Sequence, residues 1–368
     1  MRARPDLIER LPQQYFATLL ARVAAAAAEE GEPLVDLGRG NPEVGPPQHV
    51  IDVLAASASR PDVHGYAPFA GLPELKQAIA ARYGRTYGVE VDPGGEVAVV
   101  PGTKTALMEF ALCAVRQGET VLLPDPGYPD YLSAVALAGA QAAPFVGFDP
   151  QPPEAAALYL NFPSNPTAAV APDGLFEKAV RWAERARAWV LHDFAYGDLV
   201  FDRRRPQSFL AVEGARAVGV ELFSMSKSYG MAGWRLGFVV GNAELVRRIE
   251  LLQEHAFAGI FRPVQEAGIA ALTGPQDSVE ARRATYERRR DRALDALRAI
   301  DARSAGTFFV WLRLPSGVTV ERLLTEHRVA LAPGEGFGAR GAGWARLSLS
   351  VADDTLDLGL SRLRAALS

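Results

Sequence analysis

Lys227 stands in the run Ser224-Met225-Ser226-Lys227-Ser228-Tyr229-Gly230-Met231-Ala232-Gly233-Trp234-Arg235-Leu236-Gly237, within a 368-residue chain that holds only four lysines. An amine, nearby hydroxyls and an arginine eight residues on together suit a phosphorylated aldehyde. The amine can condense with the carbonyl, while Ser224, Ser226 and Arg235 can meet the phosphate. An isolated S-x-S-K would be an ordinary lysine at a helix N-terminus. The residues around Lys227 set it apart.

Other chemistry-bearing residues follow short β-type runs. Thr103 and Lys104 come after 97–100, Tyr128 after 120–123, and Asn165 after 158–161. Asp193 and Tyr196 come after 189–192, and Ser224 and Lys227 after 218–223. In an open α/β sheet, ligands bind beyond the carboxyl ends of parallel strands, so this succession predicts one site. The elements needed to position it alternate along the chain. Helical patterns at about 71–87, 103–116, 174–187 and 243–256 alternate with the strand-like runs, the last of which is 236–240. That grammar predicts a wound, largely parallel sheet. After 274 it changes to a long charged helix, a strand near 307–314, a helix near 319–327, a strand at 344–350 and a final helix. The expected fold class is therefore α/β. It comprises an arm and part of the small domain at 1–46, a large domain at 47–273 and a smaller α+β domain at 274–368.

A net charge of −4 gives no basic excess for nucleic acid, so small-molecule chemistry is the better expectation. Arg282, Arg283 and Arg288 to Arg290 alternate with Glu280, Glu287, Asp291 and Asp295, which predicts a solvated helix face. The single Cys113 allows no disulfide within the chain and points to a reducing cytoplasm, with the thiol read as a small buried hydrophobe. The first residues carry no apolar stretch, and no run approaches the roughly 20 apolar residues of a membrane span. A soluble protein is expected, with no metal site.

The Lys227 segment resembles the cofactor-anchoring stretch of the class I/II aminotransferases, fold type I. The resemblance runs from about Tyr15 to Arg346, with alanine-forming and LL-diaminopimelate aminotransferases as the nearest flavour. It implies pyridoxal 5'-phosphate, with Lys227 as the attachment point and proton carrier. Asp193, in His192-Asp193-Phe194-Ala195-Tyr196, matches the carboxylate that keeps the pyridine nitrogen protonated. Tyr196 and Asn165 match the pair that bonds the ring's phenolic oxygen. Tyr128, in Asp125-Pro126-Gly127-Tyr128-Pro129, matches the stacking aromatic. Gly102-Thr103-Lys104 opens a helix whose amides suit phosphate. His192, one residue from Asp193 in a strand, should face the other way and pack.

For the substrate, the resemblance implies that Arg346 binds the α-carboxylate, following the Pro333-Gly334-Glu335-Gly336-Phe337-Gly338 stretch. Gly40 and Tyr15 match further substrate contacts. Tyr66 matches a tyrosine given to the neighbouring subunit's phosphate, which implies a homodimer with shared sites. Amino acids and 2-oxo acids are the implied substrates, with glutamate and 2-oxoglutarate as one pair.

Three departures stand out. Ala168 replaces the glycine of N-P-T-G, the stretch 148–158 is too short for the usual helix, and Arg262 stands where close relatives have Asn or Thr. Arg262 is a candidate for a substrate's distal carboxylate. A C-S β-lyase on the same fold is the alternative activity. A non-catalytic sensor is disfavoured, because the roughly 35 residues before the core are too few for a DNA-binding domain.

Overall fold

The computed structural model describes residues 6–367, so the first five residues of the expected 1–46 arm and Ser368 lie outside it. After β1 (Val35–Asp36), the main sheet is built from β2 (Val97–Val100), β3 (Thr120–Pro124), β4 (Gln141–Phe145), β5 (Ala157–Asn161), β6 (Trp189–Asp193), β7 (Gly219–Ser224) and β8 (Gly237–Gly241). Their order is β2-β8-β7-β6-β5-β3-β4. Only β8 runs against its neighbours, pairing antiparallel with both β2 and β7.

Continuous apolar runs such as Val97-Ala98-Val99-Val100 suit a sheet covered on both faces, because alternate side chains feed opposite cores. Val97 and Val99 join Leu158, Leu160 and Phe238 on one side. Ala98 and Val100 join Val121, Tyr159 and Leu222 on the other. β4 is the one strand of this sheet that the sequence pattern does not reveal. Gln141-Ala142-Ala143-Pro144-Phe145 is poor in β-formers and largely exposed, as befits an edge strand that tolerates proline. Helices Gln48–Ala58, Asp130–Leu137 and Arg262–Thr273 also escape the sequence reading. No helix interrupts 146–156, in keeping with the short 148–158 stretch.

A second core surrounds β10 (Phe309–Arg313), which follows β9 (Ala302–Arg303) and precedes β11 (Val329–Ala330), β12 (Ala332–Pro333) and β13 (Trp344–Ser348). The order here is β12-β13-β10-β9, while β1 pairs in parallel with β11. Helix Tyr15–Ala27 lays Leu19, Val23 and Ala26 against Trp311, Leu324 and Phe337. The N-terminal segment therefore packs on the C-terminal unit.

The expected solvated face of helix Asp277–Ala296 is corrected by the fold. Arg282, Arg289 and Arg290 are buried, and only Arg288 of the 288–290 run stays exposed. The helix spans the junction between the cores, where local spacing says nothing about what covers it. Arg282 donates to the Val44 and Gly45 carbonyls at 2.8 and 3.0 Å. Arg289 bonds Asp353 and Glu43, and Arg290 bonds Asp202.

Candidate active site

A cavity of about 400 Å³ opens where the C-terminal ends of β5 and β6 face β10 and β13. Thr103, Lys104, Tyr128, Asn165, Asp193, Tyr196 and Lys227 line it from the large sheet, with Gly40 and Arg346 across from them. Residues separated by up to 330 positions in sequence, Phe16 and Arg346, thus share one chamber.

Lys227 follows β7 in the single turn Met225–Ser228, capped by the Ser224 hydroxyl accepting from the Ser226 amide at 3.2 Å. Its Nζ donates to the Gly40 carbonyl at 3.3 Å and lies 5.8 Å from the Tyr196 ring centre. Burial first, then the positive charges of Arg346 and Arg235, pull its pKa from 10.5 down to about 8. A substantial share of the amine is therefore neutral and nucleophilic near physiological pH.

Asp193 closes β6 with its carboxylate inside the cavity. Burial raises its pKa, opposed chiefly by the Tyr131 hydroxyl donating to Oδ2 at 2.7 Å and by the Ala195 amide donating to Oδ1 at 3.2 Å. His192 points to the opposite face of the sheet. Its ring packs 4.8 Å from Phe176, and its nitrogens meet Glu221 and the Phe162 carbonyl, each at 2.9 Å.

Thr103 begins the twelve-residue helix Thr103–Ala114, whose first amides have no intrahelical partner. Gly102 precedes it at φ +86°, and a Cβ there would strike the Arg235 guanidinium. Only glycine brings backbone and guanidinium this close, so the first amides of the helix and Arg235 lie together, an arrangement that suits a phosphate. Lys104 is half exposed, with Nζ 3.0 Å from the buried carboxylate of Asp130.

Arg346 is buried, with its guanidinium carbon 4.0, 4.9 and 5.4 Å from the rings of Phe309, Phe337 and Phe16. It donates to Asn165 Oδ1 at 2.7 Å and to the Gly38 carbonyl at 3.0 Å, leaving Nε without a partner. Burial lowers its pKa to about 10, and no carboxylate among the described residues forms an ion pair with it. A desolvated guanidinium with a spare donor is a receptor for a carboxylate. Gly40 keeps the approach open, because a Cβ there would lie 3.2 Å from Phe309 and 3.5 Å from Arg346 Nη2.

Of the residues singled out in the sequence, Gly102, Ser224, Ser226 and Arg235 lie outside the lining of this cavity, and so do Tyr15, Arg262 and Tyr66 within one chain. Tyr15 donates its hydroxyl to the Pro333 carbonyl at 2.8 Å and lays its ring over Gly336, whereas the next residue, Phe16, lines the chamber. Arg262 opens helix Arg262–Thr273 and bonds Glu266 at 2.7 Å, in a cluster with Arg60. Tyr66 is 91% exposed. The Ala168 departure keeps the turn: Ala168 adopts φ 54°, a left-handed conformation that glycine reaches without strain.

Sequence reasoning missed Asn161, Tyr131, Phe16 and Phe309. Asn161, paired in register with Asp193, donates to the Asp193 carbonyl at 2.9 Å and accepts from the Asn165 amide at 2.7 Å. Its position at a strand end was an available signal. Tyr131 and the two phenylalanines carried none, since an aromatic in an apolar context reads as core.

Residues 32–363 match the family described as aminotransferase class I and II. The chain is 42% identical over 370 residues to an L-glutamine–4-(methylsulfanyl)-2-oxobutanoate aminotransferase of Bacillus subtilis, covering 95% of this chain and 93% of that protein. It is 37% identical to the glutamate-pyruvate aminotransferase AlaC of Escherichia coli, across 97% of this chain and 92% of that one. The substrate-bound structure of BacF from Bacillus subtilis superposes with a TM-score of 0.92 at 35% identity, covering 100% of this chain and 98% of that chain.

Proposed function

We infer the cofactor, the substrate class and the assembly from one premise: the chain belongs to the class I and II aminotransferases and moves an amino group between an amino acid and a 2-oxo acid. The cofactor is pyridoxal 5'-phosphate. Lys227 would hold it through its amine, the Gly102–Thr103 amides, Ser224, Ser226 and Arg235 through its phosphate, and Tyr128, Asn165, Asp193 and Tyr196 around its ring. When bound, it supplies an aldehyde that condenses with amines and a protonated ring that draws electrons from the substrate's α-carbon.

Asp193, as a carboxylate, keeps the ring nitrogen's proton in place. Lys227, whose amine lies in the cavity, would serve as general base and acid for the proton at the substrate's α-carbon. Asn165 and Tyr196 would hold the ring at its phenolic oxygen, and Arg346 would fix the substrate's α-carboxylate bidentately. The observation that carries this reading is Arg346, which is fully desolvated and lacks a counter-ion among the described residues.

The side-chain end of the cavity is walled by Phe16, Leu19, Leu20 and Val23, while Arg39 and Lys104 also line it. An apolar amino acid of methionine length fits that wall. Glutamate or glutamine serves as the second pair, its distal group turned to the cations. The relative that acts on 4-(methylsulfanyl)-2-oxobutanoate supports the same class.

The assembly is a homodimer, supported by the exposed Tyr66, Phe69, Phe257 and Phe261, a set of aromatics rarely left to water. The single cysteine favours the cytoplasm. Among the described residues no helix is long and apolar enough to cross a membrane.

A half-reaction screen tests the reading. The cofactor-loaded protein is mixed with each amino acid and loss of its visible band is followed. Methionine, glutamine and glutamate should discharge the band faster than aspartate does. Absence of any band, or a band insensitive to every amino acid, overturns the proposal.

A further inference from the structure

Asp193 is held by groups from three elements, and the shortest of those contacts comes from Tyr131, a residue with no assigned role. The Tyr131 hydroxyl lies 2.7 Å from Asp193 Oδ2. Tyr131 sits in helix Asp130–Leu137 and is 1% exposed. Its ring is locked edge-to-face between Tyr128 at 5.5 Å and Tyr159 at 5.4 Å, and Tyr159 is fixed in turn against Phe110 at 5.5 Å. A phenol clamped in this way cannot swing to another acceptor. Burial and the Asp193 charge push its own ionisation well above the ordinary tyrosine range, so the hydroxyl keeps its hydrogen and serves as donor.

Asp193 has few other means of staying charged. Of its remaining neighbours, the Ala195 amide reaches Oδ1 at 3.2 Å, and Asn161 bonds only the main-chain carbonyl. The ring of His192 faces Glu221 across the sheet, and the Lys227 amine is itself neutral in part. Tyr196 and Tyr128 border the same cavity as uncharged phenols. A carboxylate cut off from water reverts to the acid unless hydrogen bonds favour its charged form, and one strong donor at bonding distance can decide the balance.

We propose that Tyr131 is a positioning residue, whose hydroxyl fixes the orientation of the Asp193 carboxylate and holds it ionised so that it can retain the proton on the cofactor's ring nitrogen. This rests on the pyridoxal phosphate reading above. Tyr131 also joins two functions in one aromatic stack. The ring packed against it belongs to Tyr128, which borders the cofactor face, so both the face and the nitrogen end are set by the same buried residue.

The test substitutes Tyr131→Phe, which keeps the ring stack and removes only the hydroxyl, in the parent and in an Asp193→Asn background. Two quantities are read on the cofactor-loaded proteins: the dissociation constant of pyridoxal phosphate and the pH midpoint of its visible absorption. In the parent background the dissociation constant should rise about tenfold, as expected for loss of one hydrogen bond to a charged group, and the midpoint should move. In the Asp193→Asn background neither should change. No change in the parent overturns the proposal, and so does an equal change in both backgrounds, which would mark Tyr131 as packing alone. An independent measurement needs no Tyr131 variant. The infrared carboxyl signal of Asp193 in the unsubstituted holoenzyme, identified by difference against Asp193→Asn, should be that of a carboxylate; a protonated carboxyl overturns the proposal. Failure of the unsubstituted protein to bind pyridoxal phosphate would overturn the cofactor reading instead.

Discussion

Arg346 Nη1 donates to Asn165 Oδ1 at 2.7 Å, joining β13 to the turn after β5 inside the cavity. The bond ties the proposed carboxylate receptor to a side chain proposed to border the cofactor ring. Among the described residues Arg346 has no counter-ion, and its Nε has no hydrogen-bond partner.

Arg346→Met should consequently separate stability from activity. A buried charge without a partner is costly, so the variant should melt at or above the parent's temperature in the absence of ligand. Its kcat/KM should fall about a hundredfold or more, since two charge-assisted bonds to the carboxylate are lost. Thermal unfolding and steady-state kinetics read the two effects. A destabilised but active variant contradicts both.

Lys227 has its folded pKa depressed to about 8, so its neutral amine should appear across that pH and not near 10.5. Reaction of the cofactor-free protein with an aldehyde reagent should rise with pH to a plateau above about 9, and Lys227→Ala should abolish the site-specific adduct. Arg235→Ala removes one of the cations that disfavour the ammonium, so the midpoint should move upward. A midpoint left in place or moved downward shows that burial acts alone.

Tyr66 is 91% exposed and does not line its own chain's cavity, as expected of a residue donated to a second subunit. Mixing Tyr66→Phe chains with inactive Lys227→Ala chains should regenerate activity, because each heterodimer holds one site free of both changes. Sedimentation should show dimers. A fully active monomer removes the idea.

Glu109, in helix Thr103–Ala114, is pushed by burial from 4.5 to about 7, with Gln253 donating to it at 3.0 Å. The folded state therefore holds this proton more tightly than the unfolded chain. Its contribution to stability is fully present below about 4.5 and is lost as pH rises through about 7. Glu109→Gln should flatten that slope and leave the variant more stable than the parent above neutrality, by roughly 3 kcal/mol at most. Denaturant titrations at pH 5 and pH 8 measure it, and identical pH slopes for the two proteins refute the assignment.

The sequence alone determined the wound sheet, because its inner strands are apolar runs buried on both faces and they alternate with helical patterns at 103–116, 174–187 and 243–256. It also singled out Lys227, Asp193, Asn165 and Tyr196, which follow strand-like runs and line one cavity, whereas Arg346, inside β13, was reached through the resemblance alone. The tertiary structure decided matters that depend on what covers a residue. Arg282, Arg289 and Arg290 look solvated in a helical wheel, yet they are buried where helix Asp277–Ala296 meets segments up to 246 positions away. Tyr15 and Phe16 are neighbours in sequence, but the helix they begin turns Tyr15 onto Gly336 and Phe16 over Arg346. Tyr131 reads as core until the fold brings its hydroxyl to Asp193, 62 residues away. A side chain's type is written locally, whereas its solvation and its partner come from chain segments that meet only on folding. That is why the chemistry was legible in the sequence and its tuning was not.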